Sequence, residues 1–465
     1  MRPAGVWWAE GRAAVWDRTE LRRVYDRTAL SMEQTFRWSW IEAQAADSGE
    51  LWHGCAAREP RRGVLYSRAE QRVRERAYDR ALEEVECEAR TKASTAAARR
   101  AVQARTTASL ARFSTAALDL GAEATGLLTD DFLPVGTGLA RWARRFDAGL
   151  GKEEIVQACR NAWTACGLQP LFGEAVGLTP SIAGYSLLYP YTDNYLDRPE
   201  IGAEEKHRFS ERFRQRLSGG GSDPVSRHEC ALWELVGAIE AQYPRAVYPA
   251  VYGCLLAIHR AQEDSLAQLN PLRECTAPEL LRISCAKGGS SVLADACLAR
   301  GTLTEQESSF AFRWGVLLQL GDDLQDVDED MRRGSWTLFS RAAALRLPLD
   351  ALADQLLVFG EVVAEEMDAL PHGSATLKGL LRMSWRSLIV TAVAASHGFF
   401  TRGYVARREQ ESPFRFDFLR ARGRRMRRRR GLYDSLFDVF VEDSGEGAGG
   451  VGLAVRPDAA AVACD

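Results

Sequence analysis

The sequence predicts an all-α protein. Three observations carry that reading. Apolar residues recur at three- and four-residue intervals over long stretches, such as EEIVQACRNAWTACGL (153–168) and SSFAFRWGVLLQLGDDLQDV (308–327). Period-two alternation is almost absent, and β-branched runs are scarce. Breakers such as LSGGGSDP (217–224) and LPHGS (370–374) fall between the periodic segments rather than inside them.

Taken in order, the first 60 or so residues are Trp-rich and show no clear period. Residues 67–118 contain neither Gly nor Pro and are rich in Ala, Arg and Glu, which reads as long helix. Most of its apolar positions are Ala, so it can bury only a thin stripe. Residues 1–120 are therefore expected to form a helical or partly disordered extension. Apolar-periodic segments at 153–168, 230–262, 290–301, 308–327 and 349–370 define a helical core over residues 121–410. An Arg-rich helix is predicted at 411–442, and the Gly- and Ala-rich tail at 443–465 reads as disordered.

A formal net charge of −3 gives no global field for nucleic acid, and no nucleic-acid partner is predicted. The ten cysteines form no CxxC pair and no zinc spacing with histidine, so they read as buried thiols in a reducing compartment. The start lacks a secretory h-region, and the longest apolar run, SLIVTAVAASHGFF (387–400), is too short to span a bilayer. A cytoplasmic location is expected. The run RARGRRMRRRR at 420–430 reads either as a solvated helix end or as a peripheral membrane contact through Arg420–Arg430. The six histidines show no metal spacing; His259 is set apart only because Gln262 and Asp264 lie close by. Asp130 and Asp131 in LLTDDFLP have no acid four residues on and read as a loop or helix cap.

The chemistry concentrates in GVLLQLGDDLQDVDEDMRRG (315–334), where six acids occupy the nine positions 322–330 directly after an apolar run. On a helix, Asp322 and Asp326 project side by side, Asp330 lies one turn further and Asp323 flanks them. Stacked carboxylates repel unless a cation sits between them, and hard divalent ions take oxygen ligands. Upstream, SLLYPYTDNYLDRPE repeats the spacing with Asp193 and Asp197, and Asn194 adds an oxygen. Two helices, each apolar and then acidic, suit an amphiphile with a hydrocarbon tail and a diphosphate head.

GVLLQLGDDLQD resembles the second aspartate-rich motif of polyprenyl diphosphate synthases, and QLGDDLQDVDEDMRRG is similar to that of squalene and phytoene synthases. AKGGSSVLADACLARG resembles the lysine-plus-small-residue helix preceding that motif, and DNYLD looks like a reduced first motif. The resemblance, which covers about residues 125–410, implies the class I isoprenoid synthase fold: a helical bundle around a central apolar cavity. It implies metal ligation by Asp193, Asn194, Asp197, Asp322, Asp323 and Asp326, with Asp193, Asp197, Asp322 and Asp326 catalytic. It further implies three magnesium ions, and diphosphate contacts from Lys287, Arg333 and Arg282. Gln319 and Tyr189 would line the cavity, and Trp163, Tyr185, Phe312 and Trp314 would offer aromatic faces to a carbocation. The activity so implied is magnesium-dependent ionisation of a prenyl diphosphate with cyclisation or quenching. Prenyl transfer, head-to-tail or head-to-head, is the alternative. A non-catalytic protein binding prenyl diphosphate or a membrane surface is another, and a homodimer is compatible with all three. The first motif lacks the tandem aspartates of chain-elongating synthases, because Asn194 stands where the second would be.

Overall fold

The computed structural model describes residues 36–196, 198, 200–269 and 275–441, with the side chains of Tyr189 and Leu269 excepted. Among the described residues every regular element is a helix. The core is built around one of them, α11 (Ala277–Arg300), which runs through the middle of the bundle. Between Leu280 and Ala299 every residue of α11 is buried except Arg282, Lys287 and Ser291. Its start is fixed by a capping box in which Thr276 and Glu279 satisfy each other's backbone N–H groups, and its end by Gly301 at φ 86°.

The helices α1 (Trp38–Cys55), α6 (Lys152–Leu168), α7 (Pro180–Leu196), α10 (Pro249–Ser265) and α12 (Glu305–Gln325) all pack against α11. α12 lies closest of all. The two helices cross at Gly288 and Gly315, where a Cβ on Gly288 would come within 2.5 Å of the Gly315 carbonyl oxygen. The glycine pair in AKGGSS thus lets two backbones touch, with Gly289 receiving the ring of Phe312. α8 (Ala203–Leu217) and α9 (Arg227–Gln242) close the bundle on the α7 and α10 side, and α15 (Asp350–Ala369) and α16 (Ala375–Ala395) close it on the α12 side.

The N-terminal part departs from its expected role. α1 is no appendage: Ile41, Ala45, Trp52 and Cys55 are buried in the main core, and Trp52 packs edge-on against Phe339. The stretch 67–118 is also not one helix. It breaks at the Thr- and Ser-containing segment 90–95 into a hairpin of α2 (Arg68–Ala89) and α3 (Ala96–Leu118), α3 being capped by Thr95. The alanine stripe cannot carry the hairpin alone. The C-terminal region covers it with two helices, α18 (Phe416–Arg428) and α19 (Arg430–Val441), where one was expected. Small apolar clusters join them: Ala77, Ala117, Phe414 and Phe418 in one, Ala89, Val102 and Leu436 in the other.

Charge supplies the rest of that contact. Glu75 takes both Arg415 Nε and Nη2, at 2.9 and 2.6 Å, and Asp79 takes Arg422 at 2.5 Å through each oxygen. Glu86, buried, accepts from Arg425 at 2.7 Å, from Arg429 and from the Tyr433 hydroxyl at 3.0 Å. Three of the eight arginines in the run 420–430 are therefore tied to the hairpin. Between the hairpin and the core, α4 (Ala122–Gly126) continues through a π-helical turn at Leu127–Phe132 into α5 (Leu133–Phe146). Asp130 and Asp131 sit in this turn, so they are helical rather than loop residues; Asp130 accepts from the Thr129 hydroxyl at 2.9 Å. No described helix is long and apolar enough to cross a membrane. The predicted tail at 443–465 lies outside the described residues.

Candidate functional site

The second acidic stretch folds as two helical pieces. α12 ends at Gln325, Asp326 adopts φ −95° and ψ 8°, and α13 (Val327–Arg333) follows at once. The break leaves the acids together, because the amides of Glu329 and Asp330 bond back to the Asp326 carbonyl. Asp323 is buried against α11: the Ser284 hydroxyl donates to its Oδ2 at 2.7 Å, and Gln319 Nε2 donates to its Oδ1 at 2.8 Å. Burial, with the Asp322 charge adding to it, pushes the Asp323 carboxyl up to about 6 against those two hydrogen bonds. Burial likewise raises Asp326, helped by Asp322 and Glu329. Asp330 rises to about 7, by burial and then by the charges of Asp323, Asp326 and Asp322. Asp330 therefore belongs to the cluster, although the sequence reading left it out of the ligand set. Its i, i+4 spacing from Asp326 was the available signal.

Two cations face these acids. Arg160, on α6, stands 3.6 Å from Asp322 and also lowers Asp326 electrostatically. Lys287 is half-buried on α11 and acts on Asp323. Lys287 and Ser291 are the only interior positions of α11 besides Arg282 that solvent reaches, and they lie one turn apart on one side of the helix. Arg160 was not foreseen. A single arginine on a helix with no acidic partner nearby in sequence gave no signal.

The first motif sits at the same end of the bundle. Ser181 and Tyr185 on α7 donate to the Leu298 and Ser291 carbonyls of α11, so the two helices run antiparallel. That direction takes the end of α7, with Asp193, toward the N-terminal half of α11, which also carries Ser284. Gln262 on α10 donates to Asp193 Oδ1 at 2.6 Å, and Glu154 on α6 accepts from Asn194 Nδ2 at 3.3 Å. The chain leaving α13 returns to this end too, where the Trp336 amide bonds to the Gln268 carbonyl beyond α10. Asp197 and the Tyr189 side chain lie outside the described residues.

The other residues that the resemblance implies are more dispersed. Arg282 is exposed and stands about 140° round α11 from Lys287, so the two side chains leave the helix on different sides. Arg333 is exposed and paired with Glu329 at 2.5 Å, one turn back on its own helix. Trp163 is 39% exposed; its Nε1 donates to the Phe132 carbonyl and its ring covers Gly136, away from α11. Phe312 and Trp314 lie about 200° apart on α12 and cannot share one wall: Phe312 packs on Gly289 and Trp40, Trp314 beside Phe310. Tyr185 borders a cavity that Gln262, the partner of Asp193, also lines. That cavity, lined also by Leu188, Phe213, Ile258, His259 and Gln262, measures about 20 Å³, which is room for one water and not for a hydrocarbon chain. His259 is a core residue: Nε2 bonds to the Ser210 carbonyl, and burial lowers its pKa.

Among the described residues no three His, Cys, Asp or Glu side chains already form a shell that could hold one ion. In kind, however, the donors suit a hard divalent cation. They are carboxylate oxygens, they are crowded, and the upward displacement of three of them is what a cation would relieve. No family model, no curated protein and no solved structure matches the chain.

Proposed function

We propose that the protein is a magnesium-dependent class I terpenoid synthase that ionises a prenyl diphosphate. One observation carries the reading: Asp322, Asp323, Asp326 and Asp330 gather with Lys287 and Arg160 at the end of the bundle that also holds Asp193. Crowded acids beside two cations on a half-open face suit an anionic ligand that arrives with metal. Asp193, Asp322, Asp326 and Asp330 would hold the metal, with Asp323 kept in place by Ser284 and Gln319. Bound magnesium would neutralise the diphosphate and make it a better leaving group.

The chain's own part is binding and orientation. Lys287 and Arg160 offer N–H donors to diphosphate oxygens, and Arg160 exchanges its 3.6 Å contact with Asp322 for the ligand. The allylic C–O bond then breaks, and its electron pair leaves with the diphosphate. The resulting cation lies toward Tyr185 and the apolar α7–α11 wall, and gives a proton to the released diphosphate, either directly or after a water has added. Because the cavity there has room for only one water, a prenyl tail requires α7 and α8 to part from α10.

Incubation with geranyl, farnesyl or geranylgeranyl diphosphate and magnesium tests the reading. A hydrocarbon or alcohol from a single substrate, suppressed by chelator, is expected. A longer diphosphate formed only with isopentenyl diphosphate would assign prenyl transfer instead. Chelator-insensitive binding without turnover would leave a non-catalytic binder.

A further inference from the structure

The arginine run divides into two faces with different fates. At 100° per residue, Arg422, Arg425 and Arg429 fall within about 60° of one another on α18 and its C-cap, and all three are bound by Asp79 or Glu86. Arg424 and Arg427 fall on the other side of the helix, and Arg428 lies at its edge, about 60° from Arg425. They are exposed, and none of them pairs with an acid among the described residues. Three like charges within little more than one turn repel each other, and no acid among the described residues offsets this. The two phenylalanines of α18 are buried, so the free face offers no ring on which a nucleobase could stack.

The basic helix also abuts the candidate site. Arg430, directly after it, pairs with Glu153 at 2.5 Å at the start of α6, and the next residue, Glu154, holds Asn194 of the first motif. Lys152 binds Asp438 of α19 at 2.7 Å, so α19 is tied to the same corner.

We propose that Arg424, Arg427 and Arg428 form a docking face for an anionic phospholipid surface, which holds the α6–α7 corner of the bundle against the bilayer. Complementarity of charge argues for this partner. Each arginine near an anionic surface strengthens partition by about fivefold, so three give on the order of 100-fold, enough for weak and reversible attachment. The proposal does not depend on catalysis, since docking is read without turnover.

The test is flotation of the full-length protein with vesicles of phosphatidylcholine alone or with about 30% phosphatidylglycerol. Binding should require the anionic lipid and fall steeply with salt. The triple variant Arg424→Gln, Arg427→Gln, Arg428→Gln should lose at least tenfold in partition. Its melting temperature should not fall, because these side chains have no protein partner to lose among the described residues and their mutual repulsion is relieved. The matching triple lysine variant should retain binding. The proposal is overturned if wild-type protein ignores anionic vesicles, if the glutamine variant partitions as wild type, or if an RNA or DNA oligonucleotide binds this face and competes the vesicles off at equal salt.

Discussion

Replacing Gly315 by alanine isolates what the α11–α12 crossing contributes. The new Cβ would stand 2.8 Å from the Gly288 carbonyl carbon and 3.0 Å from Val292 Cβ. Comfortable carbon–carbon contact is about 3.5–4.0 Å, so the helices must separate by about 1 Å. The obstacle is backbone at a buried position of the central helix, and no rotamer change relieves it. Overpacking of this kind costs about 1–3 kcal/mol, and the backbone clash favours the upper end. The same separation would pull Ser284 from Asp323, which it now meets at 2.7 Å, so the site should loosen with the fold. Gly237→Ala is the control: it lies inside α9, and its Cβ would meet nothing within 4 Å. There alanine should be neutral or stabilising by up to about 1 kcal/mol, because it is the better helix former. Urea unfolding monitored by circular dichroism measures both. A Gly315→Ala midpoint equal to that of wild type, or two variants that move alike, would refute the close-packed crossing.

Four more outcomes follow from the structure. Asp326→Ala should abolish magnesium-dependent diphosphate release while the fold persists, read by phosphate assay and circular dichroism. Asp323 and Asp330 have carboxyls raised in the folded state, to about 6 and about 7, against about 4 when unfolded. The folded chain thus binds more protons between those values, and the stability these two acids contribute is present below about pH 4 and lost as pH rises through 6 and 7. Thermal melts without metal should show that decline, Asp330→Asn should flatten it, and magnesium should restore more stability at pH 8 than at pH 6. Gln262→Leu removes the 2.6 Å donor to Asp193 and should raise the magnesium concentration needed for half-maximal activity more than it lowers the maximal rate. Glu86→Gln strips the charge from the carboxylate shared by Arg425, Arg429 and Tyr433, and should cost on the order of 2 kcal/mol in a melt, less than a fully buried pair because the arginines are partly exposed.

Periodicity was enough to identify the helical class, because a stripe such as that of α12 repeats over several turns and has no strand reading. It could not show that α1 enters the core, since its buried positions Ile41, Ala45, Ser48 and Trp52 mix apolar with small and polar types. It also missed the hairpin at 90–95. Alanine and arginine are good helix formers throughout, and only the Thr95 cap marks the restart. For the site, acids four residues apart announced Asp322, Asp326 and Asp330. Distant partners did not announce themselves: Arg160, Ser284 and Gln262 reach the acids across helices, and pairing across helices has no fixed spacing in sequence. The Gly288–Gly289 pair was visible, but its purpose was not, since a small residue admits a ligand and a neighbouring backbone equally well.

The interlocking of α2 with α18 and α19 has a consequence for how the chain comes off the ribosome. Glu75, Asp79 and Glu86 emerge early, whereas the guanidinium groups that neutralise them are translated more than 300 residues later. Until then the hairpin is held by its alanines and by its own pairs, such as Arg105 with Glu88 and Arg112 with Glu84, and long-range closure of this sort is slow. Shortening the gene before codon 415 would remove the arginines that pair with Glu75 and Asp79 and leave Glu86 only the Arg90 contact at 3.7 Å, and the N-terminal helices would be the first part exposed to proteolysis.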